Sequence, residues 1–289
     1  MCLEFCPYSD AAELFGRYDN QSKNAAPGAN MTDYMLPEPV IWCAFEALIK
    51  ADLVMEHGSV GVGVQPPAEW DGAAVAHLDM KPNNVFIGEF PDQNVGGNWA
   101  MYPTFKVADF GHSCDDNRLP QAFVHYRGRG TESYQAPEQM DAHNYHGRRP
   151  IDPLDTKTNV WGVGITIMAM MNMWSEAGDE DFREAAQNEN HPDLIPSFTA
   201  DAGNTFSGEL KSMVLSCLQS RHVNRPTFRA LLHQLETHTG LGGPQMPDRA
   251  EGARFATKLN PAANATPLRH MLPNKYPLGW VVPAGEIAI

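Results

Sequence analysis

Cysteines are few in this sequence, and none is placed as a zinc ligand or as part of a disulfide framework. The 289 residues include five cysteines, an odd number, with no C-x-x-C pair and no histidines at zinc spacing. This pattern excludes a disulfide-rich secreted module and a zinc finger. It predicts reduced thiols and a cytoplasmic protein, with the nucleus left open as a second compartment.

Long apolar runs are also absent. The longest one, residues 160–171, is well short of the roughly 20 residues that cross a bilayer, and a buried helix explains it better. The first ten residues lack the basic and apolar regions of a signal peptide, so secretion is not expected.

Positive charge is scarce as well. The chain has 21 lysine and arginine residues against 35 aspartate and glutamate residues, which leaves a net charge of −14. The resulting field repels nucleic acids and anionic lipid surfaces, so neither a nucleic acid nor a membrane is expected as a partner. Since 43% of the residues are hydrophobic, most of the chain is expected to fold.

The sequence does contain clear helical patterns. Apolar residues recur at helical spacing after Pro37, and the pattern stops at Gly58. Three further helices are predicted at residues 160–174, 208–218 and 228–238. Thr227 stands where a side chain caps the last of them.

Strand patterns are short and confined to the middle of the chain. Residues 84–87 and 105–107 predict two strands of a small hairpin, with an exposed insertion at residues 92–97. Residues 109–138 have no period and many polar side chains, which indicates a long functional loop.

Five motifs follow one another along the chain. They are HLDMKPNN at residues 77–84, DFG at 109–111, GTESYQAPE at 130–138, NVWGVG at 159–164 and the pair Arg225-Pro226. In this order they resemble the eukaryotic protein kinase domain of the Ser/Thr type. They match its catalytic loop, metal-binding loop, activation-segment end, central buried helix and the arginine that pairs with the Ala-Pro-Glu glutamate.

The resemblance covers the large C-terminal lobe of that family and the hinge that precedes it. It implies an α+β fold, mainly α: a helical domain with a small β-hairpin carrying the catalytic loops. Residues 1–35 are expected to hold the last small-lobe strand, the hinge and the first helix of the C-lobe. Residues 36–240 are expected to form the C-lobe, and residues 241–289 a weakly structured tail.

The resemblance also implies a serine/threonine-protein kinase that binds ATP and magnesium and phosphorylates a protein substrate. Asp79 would accept the proton of the substrate hydroxyl, and Lys81 would neutralise the transferred phosphate. Asn84 and Asp109 offer hard oxygen ligands that suit magnesium, and both are also expected to contact the nucleotide.

Further roles come from the same alignment. Glu4 and Cys6 would face adenine with their backbone, and Asp10 would lie near the ribose. The remaining matched residues are expected to shape the site or the substrate platform without proton chemistry: His77, Phe110, Gly111, Thr131, Glu138 and Arg225. The last two are predicted to form a buried ion pair.

Two expected motifs of the family do not precede Asp79: a Gly-rich phosphate loop and a lysine in an Ala-x-Lys context. The glycines of residues 58–63 have the wrong spacing, and Ala256-Thr257-Lys258 has no fitting loop upstream, so a permuted small lobe is disfavoured. We therefore expect a truncated kinase domain with weak activity. Its exposed interlobe face is expected to be apolar and to bind a covering partner.

Two other functions remain open at this stage. The first is a catalytically inactive, pseudokinase-like binding or scaffold module, because the missing parts supply about half of the electrostatic cradle for the phosphates. The second is a small-molecule phosphotransferase of related fold, against which the protein-substrate platform at residues 130–138 and Arg225 argue.

Two substitutions within the motifs have specific consequences. Leu78 stands where the family usually has an arginine that pairs with a phosphate on the activation loop, so phosphorylation of that loop is not expected to be the switch. Asn159 replaces an aspartate that accepts backbone hydrogen bonds from the catalytic loop, and its amide oxygen can still accept.

Overall fold

The structure, a computed structural model, describes residues 6–23, 34–61, 72–91, 99, 101–115, 126–140, 153–174, 197–240 and 255. Several expectations fall outside these ranges: the role of Glu4, the insertion at residues 92–97, and nearly all of the tail from residue 241 onward. Within the described ranges, no helix is long and apolar enough to cross a membrane.

Helix α1 (Ala11–Lys23) is followed by α2 (Glu38–His57), the longest helix described. Helix α2 begins after Pro37 and ends at Gly58, whose φ of 71° is the left-handed conformation that glycine adopts without strain. The Gly58 N–H donates to the Val54 carbonyl, which satisfies one of the last free carbonyls of the helix. Most of the apolar side chains of α2 are buried, as the sequence pattern predicts.

Helix α3 (Thr156–Asn172) is buried on nearly all sides and lies at the centre of the helical core. It begins four residues before the predicted position. The reason is a capping box, in which Asp155 accepts from the Lys157 N–H and the Thr158 hydroxyl accepts from the Asp155 N–H. This polar start precedes the apolar run on which the sequence prediction rested.

Three helices complete the described helical layer: α4 (Ala200–Thr205), α5 (Gly208–Cys217) and α6 (Phe228–Thr239). Each begins with a hydroxyl cap, and the prediction for Thr227 is confirmed by its acceptance of the Ala230 N–H at 3.2 Å. Helix α2 packs against α3 and α6, and α3 packs against α5. Glu38 accepts hydrogen bonds from both the N–H and the hydroxyl of Ser207, which joins the beginnings of α2 and α5.

The strands form two small antiparallel ladders beside the helices. Strand β2 (Val85–Ile87) pairs with β3 (Phe105–Val107), which confirms the predicted hairpin, with Phe86 opposite Lys106. Strand β1 (Val75–Ala76) pairs with β4 (Cys114–Asp115). The second ladder was not predicted, because a strand of two residues has no measurable alternation in sequence.

These ladders bring together the segments that carry the motifs at residues 77–84 and 109–111. The β1–β4 pair places the beginning of the 77–84 loop beside the segment that follows residues 109–111. The loop also rests on α3, where a Cβ at Gly162 would lie 2.7 Å from the Met80 Cβ. A glycine is therefore required for this close approach between loop and helix.

Candidate active site

The loop from His77 to Asn84 is held by its first residue. His77 is fully buried, its N–H donates to the Asn159 side-chain oxygen at 2.8 Å, and its Nε2 lies 3.0 Å from the Ala108 carbonyl. Burial lowers the pKa of His77, although the Ala108 carbonyl partly opposes this shift. A neutral imidazole with a defined hydrogen bond fits an architectural role and not proton transfer.

Asp79 is buried, and both oxygens of its carboxylate are engaged. Oδ1 accepts from the Thr131 N–H at 2.8 Å and from the Thr131 hydroxyl at 2.9 Å. Oδ2 accepts from the Asn84 side-chain amide at 3.0 Å, and the same amide donates to the Asp79 carbonyl at 2.8 Å. Hydrogen bonds from both sides give this carboxylate one fixed orientation.

Lys81 completes the group around Asp79. Its Nζ donates to the Thr131 hydroxyl at 2.8 Å and lies 3.7 Å from Asp79 Oδ2. Lys81 and Thr131, which lie 50 positions apart in the chain, are therefore in direct contact through this hydroxyl group. The structure brings together Asp79, Lys81, Asn84 and Thr131.

The 109–111 motif also lies against His77. Asp109 is exposed and has a φ of 58°, and its side chain accepts from the Gly111 N–H at 3.2 Å. The Phe110 ring lies 4.9 Å from the His77 ring, centroid to centroid, while the Phe110 side chain remains about half exposed. A carboxylate in this position is open to solvent and able to take a ligand.

Asn84 and Asp109 have the chemistry that a magnesium site requires. The Asn84 amide nitrogen is bound to Asp79, which leaves the amide oxygen as a candidate ligand. Among the described residues no cluster of three or more His, Cys, Asp or Glu side chains could hold a metal by itself. Magnesium usually takes one or two protein ligands and completes its coordination shell with phosphates and water.

Asn159 connects the loop to the helical core. Its oxygen accepts from the His77 N–H, and its nitrogen donates to the Val75 carbonyl at 2.8 Å. An amide suits this position because it accepts and donates at once, whereas an aspartate can only accept. The expectation that Asn159 accepts from the catalytic loop is confirmed.

Asp52 of α2 lies close to Asn159 and was missed by the sequence reading. It is fully buried, and neither of its carboxyl oxygens makes a well-formed hydrogen bond among the described residues, although Asn159 lies near enough to interact with it. Burial raises the pKa of Asp52 well above its ordinary value, the nearby charge of Glu56 adds to this effect, and Asn159 partly opposes it. A lone aspartate within the apolar pattern of α2 was the available signal.

The segment after residue 130 is anchored by a buried ion pair. The two terminal guanidinium nitrogens of Arg225 donate to the Glu138 carboxylate, at 2.6 and 2.8 Å, and both side chains are inaccessible to solvent. Arg225 also donates to the carbonyls of Gln219 and Lys157. The predicted pair between Glu138 and Arg225 is confirmed.

The hinge residues are described only in part. Asp10 accepts from the Glu13 N–H at 2.9 Å at the start of α1, and it pairs with Phe86 in an isolated β-bridge. Burial is the main factor that raises the pKa of Asp10. Cys6 is partly buried, and Glu4 lies outside the described residues. The expected contacts of these residues with adenine and ribose stay predictions.

Comparison with known proteins identifies the family of this chain. The family model that describes the protein kinase domain matches residues 72–235, more than half of the chain. The chain belongs to the eukaryotic protein kinase family. The matched region includes every motif from residue 77 to Arg225.

Several curated kinases are similar to this chain. The dual specificity mitogen-activated protein kinase kinase hemipterous of Drosophila melanogaster is 30% identical over 167 residues, which cover 57% of this chain and 12% of that protein. The serine/threonine-protein kinase mos of Patiria pectinifera is 27% identical over 57% of this chain and 41% of its own length. The mouse proto-oncogene serine/threonine-protein kinase mos is 28% identical over 59% and 44%, respectively. The chain thus spans less than half of each of these relatives.

Proposed function

We propose that this chain carries the catalytic large lobe of a protein serine/threonine kinase, which transfers a phosphoryl group from ATP to a hydroxyl of a protein substrate. The observation that carries this proposal is the shared hydrogen bonding at Thr131, whose hydroxyl donates to Asp79 and accepts from Lys81. A carboxylate and an ammonium group are thereby held side by side at one hydroxyl. Phosphoryl transfer needs this arrangement, because it depends on positioning and charge neutralisation more than on covalent chemistry.

In this proposal Asp79 orients the acceptor hydroxyl and takes its proton as the new oxygen–phosphorus bond forms, while the bond between the γ-phosphorus and the bridging oxygen breaks and ADP leaves. Lys81 neutralises charge on the transferred group, since its ammonium lies at the edge of the Asp79 carboxylate. Asn84 fixes the carboxylate through the amide hydrogen bonds described above. Glu138 and Arg225 keep the substrate platform in place.

Asn84 and Asp109 are the residues that would hold magnesium with the nucleotide, and Glu4, Cys6 and Asp10 those that would contact its adenosine part. When bound, the ion supplies positive charge against the phosphate oxygens. Asp109 is exposed and the Asn84 amide nitrogen, not its oxygen, is bound to Asp79, so both side chains offer an oxygen to a hard cation. No two of the described cysteines form a disulfide bond. A cytoplasmic location is part of this proposal.

We further propose that the 289-residue chain by itself transfers phosphate slowly. No Gly-rich phosphate loop and no Ala-x-Lys motif precede Asp79 in this sequence. These parts contribute several contacts to the phosphates, and each 1.36 kcal/mol of lost transition-state stabilisation lowers the rate tenfold. A partner that covers the half-exposed Phe110 is part of this proposal, since an apolar ring beside the catalytic loop favours contact with another surface.

A binding or scaffold module without turnover is the alternative, and the same absent motifs favour it. The two functions differ in what the Asp79 carboxylate does. A scaffold needs its surface but not this proton acceptor, whereas a kinase loses its reaction without it. Substitution of Asp79 therefore separates the two.

The first experiment measures nucleotide binding to the purified chain by calorimetry, with ATP in the presence and absence of magnesium. We expect saturable, magnesium-dependent binding that is lost in Asp109→Ala and kept in Asp201→Ala, a substitution at an exposed aspartate of α4.

A second experiment measures phosphate transfer to a peptide library by the chain and by Asp79→Asn. Transfer that disappears in Asp79→Asn supports the kinase, and equal signals in both proteins contradict it. Binding without any transfer favours the scaffold.

A further inference from the structure

Gln139, the residue directly after the Ala-Pro-Glu motif, is buried beneath the catalytic loop. Its side-chain nitrogen donates to the Leu78 carbonyl at 2.8 Å and to the Arg129 carbonyl at 3.3 Å. Its side-chain oxygen accepts from the Ala136 N–H at 3.1 Å. One amide thus satisfies three backbone groups, two of which belong to the activation-segment end and one to the catalytic loop.

The Leu78 carbonyl belongs to the peptide group that leads into Asp79. The N–H of this same peptide group lies 3.3 Å from His77 Nδ1. Because a peptide group is planar, hydrogen bonds at its carbonyl and at its N–H fix the orientation of the whole plane. The direction of the Asp79 side chain depends on that plane. Gln139 holds the plane at its carbonyl, and His77 holds it at its N–H.

Leu78 needs such support because its backbone is strained. Its φ of 65° lies in the left-handed region, which a leucine rarely occupies. Conformations of this kind persist only where surrounding contacts hold them. The hydrogen bond from Gln139 is a contact of this type at the strained residue itself.

Gly130 shows that the activation-segment end lies directly against this peptide group. It has a φ of 86°, and an added Cβ would collide with the Leu78 carbonyl oxygen. Only a glycine allows the segment to approach so closely. The next residue, Thr131, donates to the Asp79 carboxylate from its backbone N–H.

We propose that Gln139 is a positioning residue that orients Asp79 through the Leu78 carbonyl and thereby couples the catalytic loop to the substrate platform. This inference rests on the proposed kinase function for its effect on turnover. Leu78 is uncharged and cannot bind a phosphate on the loop, so the coupling is made by a neutral amide instead. The coupling then needs no phosphorylation.

The test compares Gln139→Met, which keeps the length of the side chain but has no strong hydrogen bonds, with Gln139→Glu, which keeps the acceptor and loses both donors. The control is Gln234→Met, the same substitution at an exposed glutamine of α6 outside the candidate site. Hydrogen exchange is followed at the Thr131 and Asp79 amides and, as an internal reference, at Val163 in α3. Peptide phosphorylation is measured in parallel.

We expect exchange at Thr131 and Asp79 to become about tenfold faster in both Gln139 variants, the size of one lost buried hydrogen bond, with Val163 unchanged. We also expect kcat to fall about tenfold while the KM for ATP stays within about twofold. Gln234→Met should leave both measurements at the wild-type values.

Unchanged exchange at Thr131 in both Gln139 variants would overturn the inference. So would an equal acceleration at Val163, or unfolding of both variants, since either result would mean that Gln139 only stabilises the fold. If the wild-type chain transfers no phosphate, the proposed kinase function fails, and the exchange measurement still decides whether Gln139 positions Asp79.

Discussion

Arg225 and Glu138 form a bidentate ion pair, with donor–acceptor distances of 2.6 and 2.8 Å, in the interior of the helical domain. The Arg225 guanidinium also lies 5.2 Å from the centre of the Trp161 ring of α3. The end of the 130–138 segment is therefore anchored both to the segment before α6 and to the central helix α3. A planar guanidinium suits this position because it binds a carboxylate through two parallel hydrogen bonds.

Breaking this ion pair should strongly destabilise the protein. Glu138→Ala leaves the Arg225 charge buried without a counter-charge, and we expect the free energy of unfolding to fall by about 3 to 5 kcal/mol. Urea denaturation followed by circular dichroism measures the change.

The control for this prediction is Glu13→Ala, which removes the exposed pair between Glu13 and Arg17 on α1. Solvent screens such a pair, so its loss should cost less than about 1 kcal/mol. Equal losses in Glu138→Ala and Glu13→Ala would show that burial does not set the strength of the internal pair.

Two helical glycines should respond in opposite ways to alanine. A Cβ at Gly164 of α3 would lie 2.6 Å from the Cys217 Cβ of α5, whereas a Cβ at Gly203 of α4 meets nothing within 4 Å. We expect Gly164→Ala to destabilise the protein by about 1 to 3 kcal/mol and Gly203→Ala to stabilise it by about 0.5 to 1 kcal/mol. Thermal unfolding of the two variants gives the signs directly, and a stabilising Gly164→Ala would contradict the close packing of α3 on α5.

The buried Asp52 should make stability depend on pH. Its pKa is raised in the folded protein, so the unfolded chain binds fewer protons and the free energy of unfolding falls as pH rises above about 4, the ordinary pKa of aspartate. Asp52→Asn removes this titration and should stabilise the protein increasingly from pH 4 towards pH 8. Urea denaturation at several pH values measures the effect.

The exposed Asp201 provides the comparison for Asp52. Asp201→Asn should shift stability by less than about 0.5 kcal/mol over the same pH range, since surface substitutions rarely do more. A stability gain in Asp52→Asn that did not grow with pH would mean that the Asp52 carboxyl does not carry the expected penalty.

The Thr131 hydroxyl should matter for turnover more than for nucleotide binding. Thr131→Val keeps the shape of the side chain but loses the two hydrogen bonds of the hydroxyl, to Asp79 and to Lys81. The bond from the Thr131 N–H to Asp79 remains. We therefore expect kcat to fall about tenfold. Thr131→Ser keeps both hydrogen bonds and should retain most of the activity. Peptide phosphorylation and calorimetry with ATP separate the two effects, and an equal loss in the serine variant would point to packing of the methyl group instead.

Much of the fold could be predicted from the sequence. The apolar period between Pro37 and Gly58 predicts α2 nearly to the residue, because the apolar face and the glycine stop are both local signals. The start of α3 was misplaced by four residues, since a capping box is polar and lies outside the apolar run. The six-residue helix α4 and the two-residue strands β1 and β4 were missed because such short elements have no readable period.

The candidate site, too, could be predicted from the sequence only in part. The sequence by itself determined which chemical groups are available, namely Asp79, Lys81, Asn84 and Asp109, because short motifs carry them at fixed spacing. Only the tertiary structure decided that Thr131 bonds to Asp79, that Gln139 donates to the Leu78 carbonyl, and that Asp52 is buried. Burial and hydrogen bonding between residues 50 or more positions apart depend on how the segments pack, and sequence spacing does not contain that information.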